Sequence, residues 1–596
     1  MSTRPSIALA LLLFVLFPSD LALAQARTPN AGIPALSRDW KRVRSEHFVA
    51  VGNTGEGQLR TAVVELERFR AALVTALPAA RILSSAPTVL VLFKNDGDMS
   101  LFKPRDASGA IRRNVAGYYL TSPEGNRMVS AVYPSRDDTY QVIFHEYAHD
   151  ILHRSGRGLP LWVEEGLADF YGTFRTDGPS SGILGSVPLW RGETLRTARI
   201  SLSFDEMFTD EGAANVVRSP LGAQTFYAEA WALTHFLTVG PRTGQLTEYL
   251  QALDRRLPPR DAFRAAFRVS FEDLQGELRR YLEQRRLPGR HITFSQLPAV
   301  ADAVEPMAEA DVLQIQGDLL LRHGALDDAE PLIRRLVQLE PSSVAGRLTL
   351  ASLHRARQRH EDAISTLRGV VTDAPSNFGA RYWLAHDLTS TDRGSEAMGM
   401  SMAAASLNSQ SPDAWLQVSV AALSLGLQSQ ADEAMAKARA ISPSPSWLFL
   451  RAQRLWTTGG YSNLVKDIDA YVHDIGADAD TASYAAFLGV LASWRLQQPE
   501  RAGALLAAVG PGSDPTGWTA VVTQFFKGSL PPRSFLERAR GRGQQTEAHA
   551  YVGIKAAIDG HREEAVQHLQ WVEEQGNRLF IEYNLAVAEL KRIRVP

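Results

Sequence analysis

The sequence predicts two folded parts in tandem: an α+β domain over residues 35–288 and an all-α array of stacked helix pairs over residues 308–596, joined by a linker at 289–307. Three observations carry this. Short β-rich runs alternate with amphipathic helices from Trp40 to about Arg286. Near Leu287-Pro288-Gly289 the pattern breaks, and no clear period returns before Pro306. Beyond it Ala329, Ala363, Ala397 and Ala431 recur at a constant spacing of 34 residues, the period of paired helices in a solenoid.

Taken in order, the N-terminus carries Arg4, an apolar run from Ile7 to Phe17, a polar break at Pro18-Ser19-Asp20 and the small-residue pattern Ala22-Leu23-Ala24. That order predicts a secretory signal over residues 1–24, cleaved before Gln25, on a chain exported to the periplasm or the medium. The run is shorter than the ~20 residues that span a bilayer, and no later stretch is apolar enough to do so. Lys and Arg total 63 against 65 Asp and Glu, so the net charge of −2 points to no nucleic acid partner. Cysteine is absent, which excludes disulfides, a thiolate metal site and a cysteine nucleophile. Any metal is therefore held by His, Asp or Glu.

Phe48 to Val51 and Thr88 to Phe93 are predicted strands, and between them Gln58 to Leu77 places Val63, Val64, Leu66, Phe69 and Leu73 at helical spacing. A second strand pair, Gly117 to Leu120 and Met128 to Tyr133, flanks the turn-rich segment 122–126. Asp137 and Asp138 then mark the start of a helix running to about His153.

That helix carries His145-Glu146-Tyr147-Ala148-His149. Histidines four apart project from one face about one turn apart, so both imidazoles reach one cation. Glu146 is turned about 100° away, where its carboxylate can take a proton from a bound water without being a ligand. Zinc is the expected cation, with a third protein ligand and a fourth position left to water. Downstream, Pro160 precedes a new helix near Trp162 that offers two carboxylates one turn apart, Glu165 and Asp169. One suits the metal; the other suits the outer N–H of a ligand histidine. Gly166 is expected to leave room beside the metal.

With HExxH at 145–149 followed by Trp162, Glu165, Gly166 and Ala168 in a W-x-x-E-G-x-A helix, the first domain resembles the gluzincin-type, MA-like zinc metallopeptidases. The resemblance implies a zincin-like fold and zinc held by His145, His149 and Glu165. It also implies Glu146 as the catalytic base, Asp169 in support, and a peptide or protein substrate. Glu164 is the alternative third ligand. His153 is read as a helix-end histidine, since a third ligand on the same helix lies too far along its axis. Tyr227 and His235 are the side chains available to stabilise an oxyanion, but Tyr227 and Trp231 at i, i+4 spacing suit core packing at least as well, and neither is assigned a catalytic role. Phe263 and Phe267 are read as core. By analogy, Met128 to Tyr133 is the expected edge strand for a substrate backbone.

In the second part, Gly317, Ala351, Ala385 and Ser419 lie twelve residues before the recurring alanines, and Pro341, Pro375, Ser409 and Pro443 twelve after. Small residues let paired helices approach, and proline ends the second helix. This resembles tetratricopeptide repeats, clearest from Ala308 to Pro445, with most aromatic consensus positions missing. Gly553 and Ala565 mark one more unit, and Glu582 to Leu590 closes what is read as one solenoid. Such repeats imply a protein partner or recruited substrate. Two other functions are weighed beside the peptidase: a zinc-binding interaction scaffold without catalysis, and a metal-dependent hydrolase of non-peptide substrates.

Overall fold

The computed structural model describes residues 14–16, 39–77, 87–105, 110–120, 126–154, 159–188, 191–192, 194–195, 202–208, 213, 216–217, 219–255, 257, 259–295, 297, 303–391, 393–441, 446–475, 480–508, 518–577 and 580–594. The predicted signal lies outside these residues, apart from the short strand β1 (Phe14–Leu16).

The apolar, β-branched runs form β2 (Lys41–Arg44), β3 (Phe48–Gly52), β4 (Thr88–Phe93), β5 (Val115–Leu120) and β6 (Arg127–Ala131). With β10 (Glu305–Pro306) they build one sheet in the order β1-β5-β6-β4-β3-β2-β10. β3, β4 and β6 run parallel, whereas β5 is antiparallel to β6. Every residue of β3 and β5 is buried, so both faces of the sheet are covered.

One face is covered by α1 (Glu56–Ala76), which joins β3 to β4, and by α3 (Arg136–Arg154), which follows β6; a four-residue α2 (Asp96–Met99) follows β4. Here Leu66, Phe69, Ile143 and Tyr147 pack with Ala50, Leu90, Leu92 and Met128. The opposite face holds Trp40, Val49, Val51, Val91, Tyr118 and Val129, and its cover is the first helix pair of the repeat array, Glu309–Arg322 and Leu326–Leu339, through Leu313, Leu320, Ile333 and Leu336. Ion pairs rim this joint. Arg105 meets Asp328 at 2.8 Å, Arg127 meets Asp318, and Arg42 reaches Glu305 at 3.1 Å and Asp311 at 3.6 Å.

The segment 289–307, read as a linker, therefore has a structural part. β9 (Arg290–Thr293) pairs with β8 (Ser181–Leu184) in a small sheet with β7 (Arg175–Gly178), and β10 pairs with β2. Strands of four and two residues carry too little periodicity to be seen in sequence.

The helix pairs of the array recur as the 34-residue spacing predicts, and the small residues are where helices touch. Ala329, Ala351, Ala363, Ala385, Ala397, Ser419 and Ala431 are fully buried. A Cβ on Gly317 would stand 2.9 Å from Ile333, and Ser419 Oγ donates to the carbonyl of Ala431 at 2.8 Å. The far end departs from an open solenoid. The last helix, Ile581–Arg594, returns to the helix Ser446–Thr457, with Asn584 Nδ2 donating to Gln453 at 3.4 Å and Arg592 to the Trp456 carbonyl at 3.1 Å. Such a contact across more than 130 residues leaves no local pattern.

Candidate metal centre

α3 lies against β5 because Gly117 allows it: a Cβ there would collide with Val142 and stand 3.5 Å from Glu146 Cγ. After α3 the chain reverses, and Pro160 caps α4 (Leu161–Gly172), anchored by the fully buried Trp162. Gly172 lets the end of α4 approach α3, its Cβ position being 3.3 Å from His145 Cβ. The helix Pro220–Thr238 closes the other side. Gly166 faces that helix, 2.5 Å from the Ala230 carbonyl when given a Cβ. Its lack of a side chain thus makes room for helix packing and not, as expected, beside the metal.

These two helix contacts bring His145, His149 and Glu165 together, with one donor atom from each within 4.8 Å of the others. The Nε2 atoms of the histidines are 2.9 Å apart, and Glu165 Oε2 lies 3.4 Å from His145 Nε2 and 3.7 Å from His149 Nε2. The outer nitrogens point to other carboxylates. His145 Nδ1 lies 2.9 Å from Asp169 Oδ1, and His149 Nδ1 lies 3.3 Å from Glu164 Oε1. Glu164, the alternative ligand, therefore stands behind His149, as Asp169 stands behind His145.

All four residues of the motif pair are withdrawn from solvent, His145, Glu146, His149 and Glu165 being at most 2% exposed. Both carboxylate oxygens of Glu146 are buried and take no hydrogen bond among the described residues. Burial pushes the Glu146 carboxyl up to about 7, although the two histidines pull the other way. Burial opposes charge on Asp169 too, but Arg191 and His145 hold it at about 2. Glu165 is likewise held below its ordinary value against burial, by His149 and His145. On His149 burial is overcome by Glu165 and Glu164, which push it up to about 10, and on His145 by Asp169, which also raises it.

The donor set fits a zinc ion. Two imidazole nitrogens and one carboxylate oxygen converge, their other sides are oriented by carboxylates, and an unpartnered buried carboxylate stands beside them. No cysteine or additional histidine competes within the described cluster.

Of the oxyanion candidates, His235 is committed elsewhere: its Nε2 donates to the Pro288 carbonyl at 3.0 Å and its Nδ1 accepts from Tyr281 at 3.1 Å. Tyr227 is buried, and burial and then the charge of Glu165 raise its phenol well above the usual range. The expected substrate edge is corrected. Met128 lies in β6, which ends at Ala131 between β4 and β5 with its backbone paired on both sides. Sequence periodicity finds strands but not their order in the sheet. Phe263 and Phe267 are core, as read.

One contributor had no signal in the sequence. Arg191 Nε donates to Asp169 Oδ2 at 2.8 Å, and its guanidinium lies over the Tyr227 ring at 5.0 Å. It sits in an aperiodic segment 22 residues beyond its partner.

Residues 140–260 match the model of a family described as a protein of unknown function, DUF1570. No curated protein matches the chain. Among solved structures, a tetratricopeptide repeat protein from Parabacteroides merdae is 12% identical, with 47% of this chain and 99% of that one covered at a TM-score of 0.32. Pseudomonas aeruginosa pilF is 17% identical, with 37% and 97% covered at 0.27. MamA of strain MSR-1 is 21% identical, with 22% and 76% covered at 0.21. The repeat architecture described above rests on the chain's own helix pairing and spacing.

Proposed function

We propose that this protein is an exported zinc-dependent metallopeptidase whose helical repeats bind a protein partner or substrate. The observation that carries the proposal is the convergence of His145, His149 and Glu165 within 4.8 Å beside the buried, unpartnered carboxylate of Glu146. Zinc bound there supplies Lewis acidity toward water and a scissile carbonyl. His145, His149 and Glu165 hold it, and Asp169 and Glu164 fix the two imidazoles from behind. Glu146, with a carboxyl at about 7, is poised to accept a proton from the attacking water and return it to the leaving amine. Tyr227, whose phenol feels the charge of Glu165, is the remaining candidate to steady negative charge on the carbonyl oxygen. Peptides fit this set because amide hydrolysis needs both a proton carrier and a charge stabiliser.

A second reading, a zinc-binding interaction scaffold without turnover, is favoured by the burial of the centre, whose three donor residues are at most 2% exposed. Zinc analysis with a peptide-library digest separates the two. The peptidase reading expects wild type to bind zinc and cleave, Glu146→Gln to bind zinc without cleaving, and His145→Ala to lose both. Zinc binding with no cleavage that the Gln variant spares supports the scaffold.

A further inference from the structure

The segment joining the helix Phe271–Leu282 to β9 carries a dense set of arginines. Arg279, Arg280, Arg285, Arg286 and Arg290 fall within twelve residues and all five are exposed, against a single intervening acid, Glu283. Nearby acids are already engaged: Arg242 takes both oxygens of Glu277 at 2.6 and 2.8 Å, Arg268 takes Glu248 at 2.8 Å, and Asp177 faces His291 at 3.2 Å. Arg280, Arg285, Arg286 and Arg290 have no ion pair among the described residues. Such a local positive excess is unusual in a chain of net charge −2. Part of it complements the C-terminal end of the helix, where Arg279 and Arg280 sit in the last turn. Arg285, Arg286 and Arg290 lie beyond that turn, where the helix end contributes little.

The shape narrows the partner. Residues 283–286 and 288–290 are exposed at every position, so this connecting segment is a solvent-exposed ridge of chain carrying Arg285, Arg286 and Arg290. An exposed basic segment gives a small anion nothing to enclose it, whereas an acidic bilayer presents many phosphates to its guanidiniums. We infer that Arg280, Arg285, Arg286 and Arg290 form a docking ridge for the phosphate headgroups of an acidic bilayer. The attachment inferred is peripheral, through these side chains; no described helix is long and apolar enough to cross a membrane. The inference does not depend on the metal chemistry.

The test is co-sedimentation of the full-length protein with vesicles of phosphatidylglycerol and phosphatidylcholine, against phosphatidylcholine alone. The expected result is binding to the acidic vesicles only, at low ionic strength, weakened at least about tenfold by Arg285→Glu with Arg286→Glu and abolished near 0.5 M salt. A charge-matched reversal elsewhere, Lys527→Glu with Arg533→Glu, leaves binding within about twofold, which separates the ridge from net charge. The inference is overturned if acidic vesicles are not bound, or if both double variants bind alike. It is also overturned if poly-glutamate or millimolar inorganic phosphate displaces the protein as well as acidic vesicles capture it.

Discussion

Arg191 and Asp169 form an ion pair out of reach of water: Nε donates to Oδ2 at 2.8 Å, and both side chains are 2% exposed. The pair continues inward, since the other oxygen of Asp169 faces His145 Nδ1. Removing the guanidinium strands a buried carboxylate, which costs about 3–5 kcal/mol. Arg191→Met is expected to lower the unfolding free energy by that order, read by urea denaturation, and to weaken zinc binding about tenfold or more in chelator competition. Unchanged zinc affinity would show that Asp169 orients His145 without help.

Glu164 and Glu165 are neighbours in sequence that face different atoms: Glu165 Oε2 lies 3.4 and 3.7 Å from the two Nε2 atoms, and Glu164 Oε1 lies 3.3 Å from His149 Nδ1. Glu164→Gln removes a charge from behind His149 and is expected to weaken zinc binding about tenfold. Glu165→Gln removes a donor to the ion and is expected to cost at least another tenfold. Chelator competition with both variants checks the order; the reverse order would make Glu164 the ligand.

His235 gives the fold an acid limit. Buried among Pro288, Tyr281 and Trp231, it is brought by burial down to about 4, whereas an unfolded chain binds its proton near pH 6.5. Between these values the unfolded chain holds a proton that the folded one refuses, so stability falls as pH drops from about 6.5 to 4, by on the order of 3 kcal/mol. His235→Gln keeps a donor for the Pro288 carbonyl and cannot titrate. Its urea midpoint is expected to change less than that of wild type between pH 7 and pH 4.

The repeat array completes the first domain. The sheet face bearing Val49, Val51, Val91, Tyr118 and Val129 packs with the first helix pair of the array and Leu353 of the next helix, beside Met99 and Phe102 of the first domain. A protein ended at residue 303 is expected to aggregate, because this face is then open. One ended at residue 341 is expected to stay soluble with a cooperative melt. Equal solubility of the two would detach the repeats from the sheet.

How much of this was legible follows from what each feature depends on. The spacing of His145 and His149 is local to one helix, so helical geometry alone places both imidazoles on one side. Ala329, Ala363 and their successors are legible because one packing constraint repeats every 34 residues. Glu165 stands out through the W-x-x-E-G-x-A pattern, whereas the position of the neighbouring Glu164 oxygen, 3.3 Å from His149 Nδ1, depends on how two helices pack. Arg191, the place of β6 inside the sheet, the docking of Leu313 and Ile333 on its outer face and the return of the last helix are contacts between distant segments. None leaves a period or motif in the chain.

The measurement that bears most directly on the centre is anomalous diffraction at the zinc edge from crystals of the wild-type protein. The account predicts one peak, about 2.0–2.1 Å from the Nε2 atoms of His145 and His149 and about 2.0–2.2 Å from a Glu165 oxygen, with one further position open to water. A zinc peak elsewhere, or one that forms without Glu165, contradicts it.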